Sequence, residues 1–283
     1  MSELRFPLND VKITLASTIK RVTNPIFSDS YCQINMQEFA LQVESVGSFY
    51  ACNGEEIEYT PADGAGKNEI ELYLNGSVYG AILHQRMLLP LHGSSFRHNG
   101  LTVLVCGDTG AGKSSVTASF CLAGAEFLTD DVTPLVLIEG VPYILALSDR
   151  IKLWADTLSQ LQQAAEGLLS IYKRTDKFYL PMERAEGDFF RPDVVILIEI
   201  KESGSIDFNE VSGTERFTVL RGEIYRPDYL RGMPENEPTY FSSLITMASK
   251  TSMIRVRRPV NILISELHNS ILQYLAGYGP EKS

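Results

Sequence analysis

An α/β fold, with a mixed sheet flanked by helices and a small β-rich domain ahead of it, is predicted by three features of the sequence. The first eighty residues carry short segments of period-two alternation separated by turn residues. An apolar run at 101–106 leads directly into Gly107-Asp108-Thr109-Gly110-Ala111-Gly112-Lys113-Ser114 and then into a stretch free of Gly and Pro. Residues 194–200 are continuously apolar, as expected of a strand covered on both faces. These features divide the 283 residues into a β-rich N-terminal domain at 1–80 and a larger α/β domain at 81–283.

In the first part, strands are expected at 12–17, 38–44, 48–52, 55–60 and 69–74, with Phe39, Leu41 and Val43 on one face. Residues 61–67 form the clearest loop and Asn75-Gly76 the clearest tight turn. The acidic excess at Glu55, Glu56, Glu58, Asp63, Glu69 and Glu71 reads as a solvated edge. Val78, Ile82, Leu83 and Met87 share a helical stripe, so 78–89 is expected to be a helix that ends at Pro90. A strand at 93–96 follows, and Asn99-Gly100 suits a type I′ hairpin turn into the strand at 101–106.

That strand enters a Gly-x-x-x-x-Gly-Lys-Ser octet. Such a loop needs its glycines because successive backbone N–H groups must wrap a phosphate with no Cβ in the way. Lys113 then meets the β- and γ-phosphates of a nucleoside triphosphate, expected to be ATP, and the Ser114 hydroxyl ligates Mg²⁺. Residues 114–123, with Ser115 in the first turn, form the helix whose positive end faces the anion, and Gly124 closes it. The bland alternative is a glycine-rich turn with an exposed Lys and Ser.

Asp130 and Asp131 follow a short apolar strand and precede another at 134–138. Beside a phosphate loop, an acid at a neighbouring strand end holds Mg²⁺. On an extended backbone adjacent side chains diverge, so one Asp faces the metal and the other an incoming hydroxyl. Without the loop upstream, an Asx turn or helix cap would be the ordinary reading.

Leu91-His92-Gly93, residues 103–115, Gly124 and Leu128-Thr129-Asp130-Asp131 resemble the catalytic domain of HPr kinase/phosphorylase and its HPr-kinase-related branch. The spacing matches too: His92 lies 21 residues before Lys113, Gly124 lies 11 after it, and the Asp pair lies 17 and 18 after it. The resemblance implies an HPr-kinase-like mixed sheet and a kinase acting on a serine hydroxyl of a small protein or peptide. It casts Asp131 as general base, Asp130 and Ser114 as metal ligands, and Lys113 with His92 at the transferring phosphate. Beyond about residue 137 the likeness fades into the branch that includes precursor-peptide kinases. No Glu stands where that family has its second magnesium ligand, and Asp149 and Asp156 are the nearest acids. Hexamers occur in the family, so a homo-oligomer is among the expectations.

Composition narrows the alternatives. With 44% hydrophobic and 21% charged residues the chain is an ordinary folded domain, and its net charge of −10 opposes a nucleic-acid partner. Cys32, Cys52, Cys106 and Cys121 have no metal-ligand spacing and read as free thiols. Neither a cleavable leader nor an 18-residue apolar segment is evident, so a cytoplasmic protein without a membrane partner is expected. Lys177, then Arg150 and Arg174, are the basic residues considered for a phosphate, while Arg255, Arg257 and Arg258 read as an exposed strand edge. His84, His98 and His268 read as structural or surface residues. Helices are expected at 214–220, 241–249 and 260–275, the last burying Leu263, Leu267, Ile271 and Tyr274. A non-catalytic ATP-sensing module that binds a partner protein is the alternative function, and an ATP-hydrolysing motor is a third.

Overall fold

The computed structural model describes residues 4–172 and 175–278; Arg174 lies outside the described residues. It is a mixed α/β structure with several sheets, and it divides into two compact units. One holds the chain up to Pro90 together with residues 171–172 and Ile224–Ser243; the other holds Leu91–Ser170, the chain from 175 to Glu223, and Leu244 onward.

The first unit is built on six strands: β1 (Lys12–Leu15), β2 (Phe27–Ser28), β3 (Cys32–Ile34), β4 (Glu38–Val43), β5 (Gly47–Cys52) and β6 (Glu56–Pro61). They lie in the order β1-β6-β5-β4-β3-β2, antiparallel except where β1 joins β6 in parallel. Phe39, Phe49, Ala51 and Ile57 pack on Ile70, Leu74, Val78 and Ile82, and Tyr229 and Met233 of the returning segment complete this core.

Residues 69–74, expected as a strand, are helical: α1 (Lys67–Tyr73) runs through a π turn at Leu74–Val78 into α2 (Tyr79–Gln85). Ile70, Leu74, Val78 and Ile82 recur every four residues, and this longer period decides the element. The Glu69 carboxylate accepts the Gly66 N–H at 2.8 Å, a start signal that short-range alternation conceals. Asn75-Gly76 is accordingly no tight turn but part of the π turn, with Asn75 Nδ2 donating to Glu71 O at 2.8 Å. The helix ends at Gln85, short of Pro90; Met87 in the turn beyond it takes φ 55°, and Pro90 lies in β7 (Leu89–Leu91).

In the second unit come β8 (Ser94–His98), β9 (Leu101–Gly107), α3 (Lys113–Leu122), β10 (Glu126–Thr129), β11 (Thr133–Ile138), β12 (Val141–Leu145), β13 (Arg150–Trp154) and α4 (Ala155–Gln160). They are followed by β14 (Leu169–Ser170), β15 (Lys177–Pro181), β16 (Phe189–Phe190), β17 (Val194–Lys201), β18 (Asp207–Glu210), α5 (Glu215–Gly222), β19 (Ser252–Pro259) and α7 (Ile264–Leu275); α6 (Asn236–Lys250) precedes β19, and only its part from Leu244 belongs to this unit. The main sheet runs β10-β8-β9-β17-β19-β18, and β13-β15-β14 form a smaller one. Asn99 and Gly100, at φ 49° and 85°, make the β8–β9 turn left-handed as expected.

α3 and α7 cover one face of the main sheet, where Val116, Phe120, Leu267, Ile271 and Leu275 meet Val103, Val105, Ile196, Ile198 and Val256. The buried stripe of α7 starts at Ile264; Leu263, placed in that stripe from the sequence, is half exposed at the helix start. Among the described residues no helix is long and apolar enough to cross a membrane.

Gly107 closes β9 at φ 129°, and a Cβ there would lie 2.3 Å from Ile198 O on the paired β17. Gly107→Ala is therefore expected to destabilise the fold by about 2–4 kcal/mol through backbone strain and overpacking. A clearly lower urea midpoint on equilibrium unfolding would register it; an unchanged midpoint would mean that β9 and β17 can separate at this point.

Candidate functional site

β9, β17 and β19 run parallel, and β10 runs the same way two strands over, so all four end on one edge of the sheet, where β8 begins. Sites in such sheets form outside the carboxyl ends of the strands. The loop 107–114 leaves β9 there. Gly107, Gly110 and Gly112 all have positive φ, at 129°, 85° and 107°, and Ala111 N–H turns back to Asp108 O at 3.0 Å. α3 begins at Lys113, so its first-turn N–H groups and its positive dipole end lie at the loop.

Lys113 is 8% exposed, and its ammonium donates to Gly107 O at 2.7 Å, Asp108 O at 3.2 Å and His92 Nε2 at 3.0 Å. His92 precedes β8, and its backbone N–H donates to Glu223 O at 2.6 Å. Since Nδ1 faces the Asp131 carbonyl at 3.1 Å, a group that can only accept, Nδ1 carries the proton and Nε2 offers its lone pair to Lys113. Burial first, and then the Lys113 charge, hold His92 below its ordinary 6.5, against the opposing pull of Asp131.

A depressed histidine binds its proton less readily when folded. Between its folded value and 6.5 the unfolded chain takes up more protons, so this contribution to stability is present above 6.5 and is lost as pH falls. The melting-temperature difference between wild type and His92→Gln is thus expected to narrow on acidification below 6.5. A pH-independent difference would contradict the neutral, lysine-facing imidazole.

Ser114 and Asp130 meet directly. Ser114 Oγ donates to Asp130 Oδ1 at 2.6 Å, and Asp130 Oδ2 accepts the Lys152 N–H at 2.8 Å. Burial first, then the neighbouring Asp131 charge, raise the Asp130 carboxyl. An oxygen pair of this kind, alongside phosphate oxygens, is what Mg²⁺ takes, since it keeps waters and needs only one or two protein carboxylates. Among the described residues no three-residue His, Cys, Asp or Glu cluster could hold a metal unaided.

Asp131 is not extended. Its φ is 70°, so the side chains of the pair diverge at a left-handed residue rather than by strand alternation, contrary to the expectation. Its Oδ2 accepts from Lys152 Nζ at 2.7 Å, and its side chain is 28% exposed. Burial alone would raise this carboxyl, but Lys152, with His92 and Lys177, brings it down to about 2. A chain of buried hydroxyls sets this spacing: Ser95 Oγ to Thr129 Oγ1 and Thr129 Oγ1 to Thr133 Oγ1, both 2.6 Å, then Thr133 Oγ1 to Gly93 O at 3.1 Å. It ties the residue after His92 to the residue before Asp130.

Of the basic residues considered, Lys177 is close to the site: its own value is lowered, first by burial and also by Lys152 and Lys113, while Asp130 and Asp131 oppose this. Arg150 instead stacks on Tyr179, with its guanidinium 4.0 Å from the ring centroid. Asp156 caps the Thr157 N–H at 2.7 Å. His84 is buried between Tyr240 Oη and Tyr225 O, while His98 and His268 pack on Phe120.

Three contributors are not evident in the sequence. Lys152 carries no motif, although it alternates with Arg150 along β13. Glu223 accepts a backbone hydrogen bond from Gly107, its carboxyl raised first by burial and partly offset by that bond and Lys113. Arg258, expected as a strand-edge residue, reaches the loop, donating from Nε to Ala111 O at 2.9 Å and from Nη2 to Gly110 O at 3.1 Å.

No family model matches the chain, and no curated protein matches it. Among solved structures, the HPr(Ser) kinase/phosphatase from Coxiella burnetii matches at 10% identity over 67% of this chain and 99% of that chain, with a TM-score of 0.33. A superposition that loose carries no functional argument, so the function is decided by the geometry of the site.

Proposed function

We propose that this protein is an ATP-dependent kinase that transfers the γ-phosphate to a serine hydroxyl of a small protein or peptide. The observation that carries the reading is the placement, on one sheet edge, of a buried ammonium on a glycine loop, a hydroxyl–carboxylate oxygen pair, and a separate ionised carboxylate.

In this reading the loop N–H groups and Lys113 hold the phosphates, and Lys113 exchanges its bonds to Gly107 O and Asp108 O for phosphate oxygens. Ser114 and Asp130 hold Mg²⁺, which when bound offsets negative charge on the phosphates. The acceptor oxygen forms the new bond to the γ-phosphorus while the bond from phosphorus to the β–γ bridging oxygen breaks, and ADP leaves with that electron pair. The hydroxyl proton goes to Asp131. A carboxylate held near 2 is a weak base, but the loose transition state of phosphoryl transfer keeps the proton on the nucleophile until late, so orientation counts for more than basicity.

The Lys152–Asp131 ion pair favours a second reading, a non-catalytic ATP sensor in which the pair is permanent and a partner recognises the nucleotide-bound form. Incubation with γ-labelled ATP, Mg²⁺ and small serine-containing proteins or peptides separates the two. Label in an acid-stable serine phosphoester supports the kinase; ATP binding with no transfer and no hydrolysis supports the sensor and overturns the kinase.

A further inference from the structure

On the side of β9 away from β8 and β10, the sheet edge carries a feature that the phosphate chemistry does not use. β17 pairs Ile198 with Gly107 and then continues to Lys201, while β19 continues beside it to Pro259, so both overhang the loop. The segments that follow these strands, together with the start of α7, line a cleft of about 500 Å³. That size is within the roughly 300–1,000 Å³ of small-molecule sites. Its walls include Ile206, Pro259 and Ile262 with Glu202, Asn261 and Glu266.

Arg258 joins the cleft to the loop. Besides its bonds to Gly110 O and Ala111 O, its Nη1 donates to Pro259 O at 3.0 Å and Val260 O at 2.9 Å. One guanidinium thus spans from the loop to the backbone at the rim of the cleft.

The edge therefore has a direction. Asp130, Asp131 and His92 belong to the β10 and β8 side, so the reactive end of a polyphosphate on the loop faces that way. The rest of the molecule leaves toward β17 and β19. Two carboxylates at the cleft repel phosphate but accept hydrogen bonds from neutral donors, and the isoleucines and proline offer apolar faces to a flat ring. Ribose hydroxyls and an exocyclic amine are such donors.

We propose that this cleft takes the nucleoside of a purine nucleoside triphosphate, with Glu202, Asn261 and Glu266 as its polar contacts and Arg258 setting the cleft's distance from the loop. The proposal rests on the nucleotide-binding reading of the loop, and its test keeps the two apart.

The test is photolabelling with 8-azido-ATP, followed by peptide mapping, on wild type and Lys113→Ala. Labelling that needs Lys113 and falls within 202–206 or 259–270 is expected. Labelling that needs Lys113 but maps elsewhere overturns the cleft and leaves the loop reading intact; labelling indifferent to Lys113 overturns both. A second measurement compares the affinities of Mg·ATP, Mg·GTP and Mg·tripolyphosphate. The double variant Glu202→Gln/Glu266→Gln, at exposed positions, is expected to lose roughly tenfold for the preferred nucleotide and nothing for tripolyphosphate. Equal wild-type affinity for tripolyphosphate and both nucleotides would remove the case for a nucleoside site, and a difference between ATP and GTP identifies the base.

Discussion

Lys113→Ala is expected to weaken Mg·ATP binding and transfer together, by roughly 10²–10³-fold, the scale on which a preorganised donor to developing charge contributes. The side chain is almost fully buried, and the partners described for its ammonium are two loop carbonyls and a neutral imidazole rather than a carboxylate. An ammonium whose hydrogen-bond partners are neutral dipoles is poised to exchange them for an anion, which adds a charge complement that those groups lack. The same variant should move a second observable. Because the Lys113 charge ranks next after burial in holding His92 down, its removal is expected to raise the His92 titration midpoint, read by NMR of the imidazole, even without nucleotide. Wild-type ATP affinity in the variant would end the phosphate-loop reading, and an unmoved His92 midpoint would show that the 3.0 Å contact does not persist in solution.

How much of the site is legible in the sequence depends on the range of each signal. The octet 107–114 is contiguous and its glycines are required by backbone geometry, so it is legible alone; the three positive φ values are the physical content of the pattern. His92 and Asp131 are 39 residues apart, yet the hairpin of β8 and β9 and the return of β10 bring the imidazole to the Asp131 carbonyl. Only a matched spacing suggests this, because no local periodicity encodes it. Lys152 escapes notice because its role depends on β13, a strand of another sheet, delivering both a backbone N–H to Asp130 and an ammonium to Asp131. Arg258 escapes notice for a similar reason: β19 lies between β17 and β18 rather than at the sheet's edge, Arg255 and Arg257 pair with Glu199 of β17, and sequence cannot tell which arginine of the three turns toward the loop. In the first unit the error runs the other way. Within 69–74 alternation and helical stripe coincide, and only Val78 and Ile82 farther along settle the period.

Asp131→Asn keeps the shape of the side chain and removes its charge, and transfer is expected to fall by roughly 10²–10⁴-fold, the range of a positioned acid–base group. The loss should appear in kcat. Affinity for Mg·ATP should hold or improve, because removing the carboxylate charge 2.7 Å from Lys152 Nζ makes the field at this end of the site more positive. A partner variant distinguishes a proton acceptor from a structural anchor. In Lys152→Met the largest influence on Asp131, burial, meets less opposition, so its carboxyl moves up from about 2. A base works only when ionised, so the acid limb of the transfer profile must shift to higher pH in Lys152→Met while the neutral-pH rate falls less than in Asp131→Asn. If Asp131 merely anchors Lys152, the two variants would show equal losses and the acid limb would stay where it is. Undiminished transfer by Asp131→Asn would dismiss Asp131 as the base and leave His92, whose lone pair faces Lys113, as the remaining candidate.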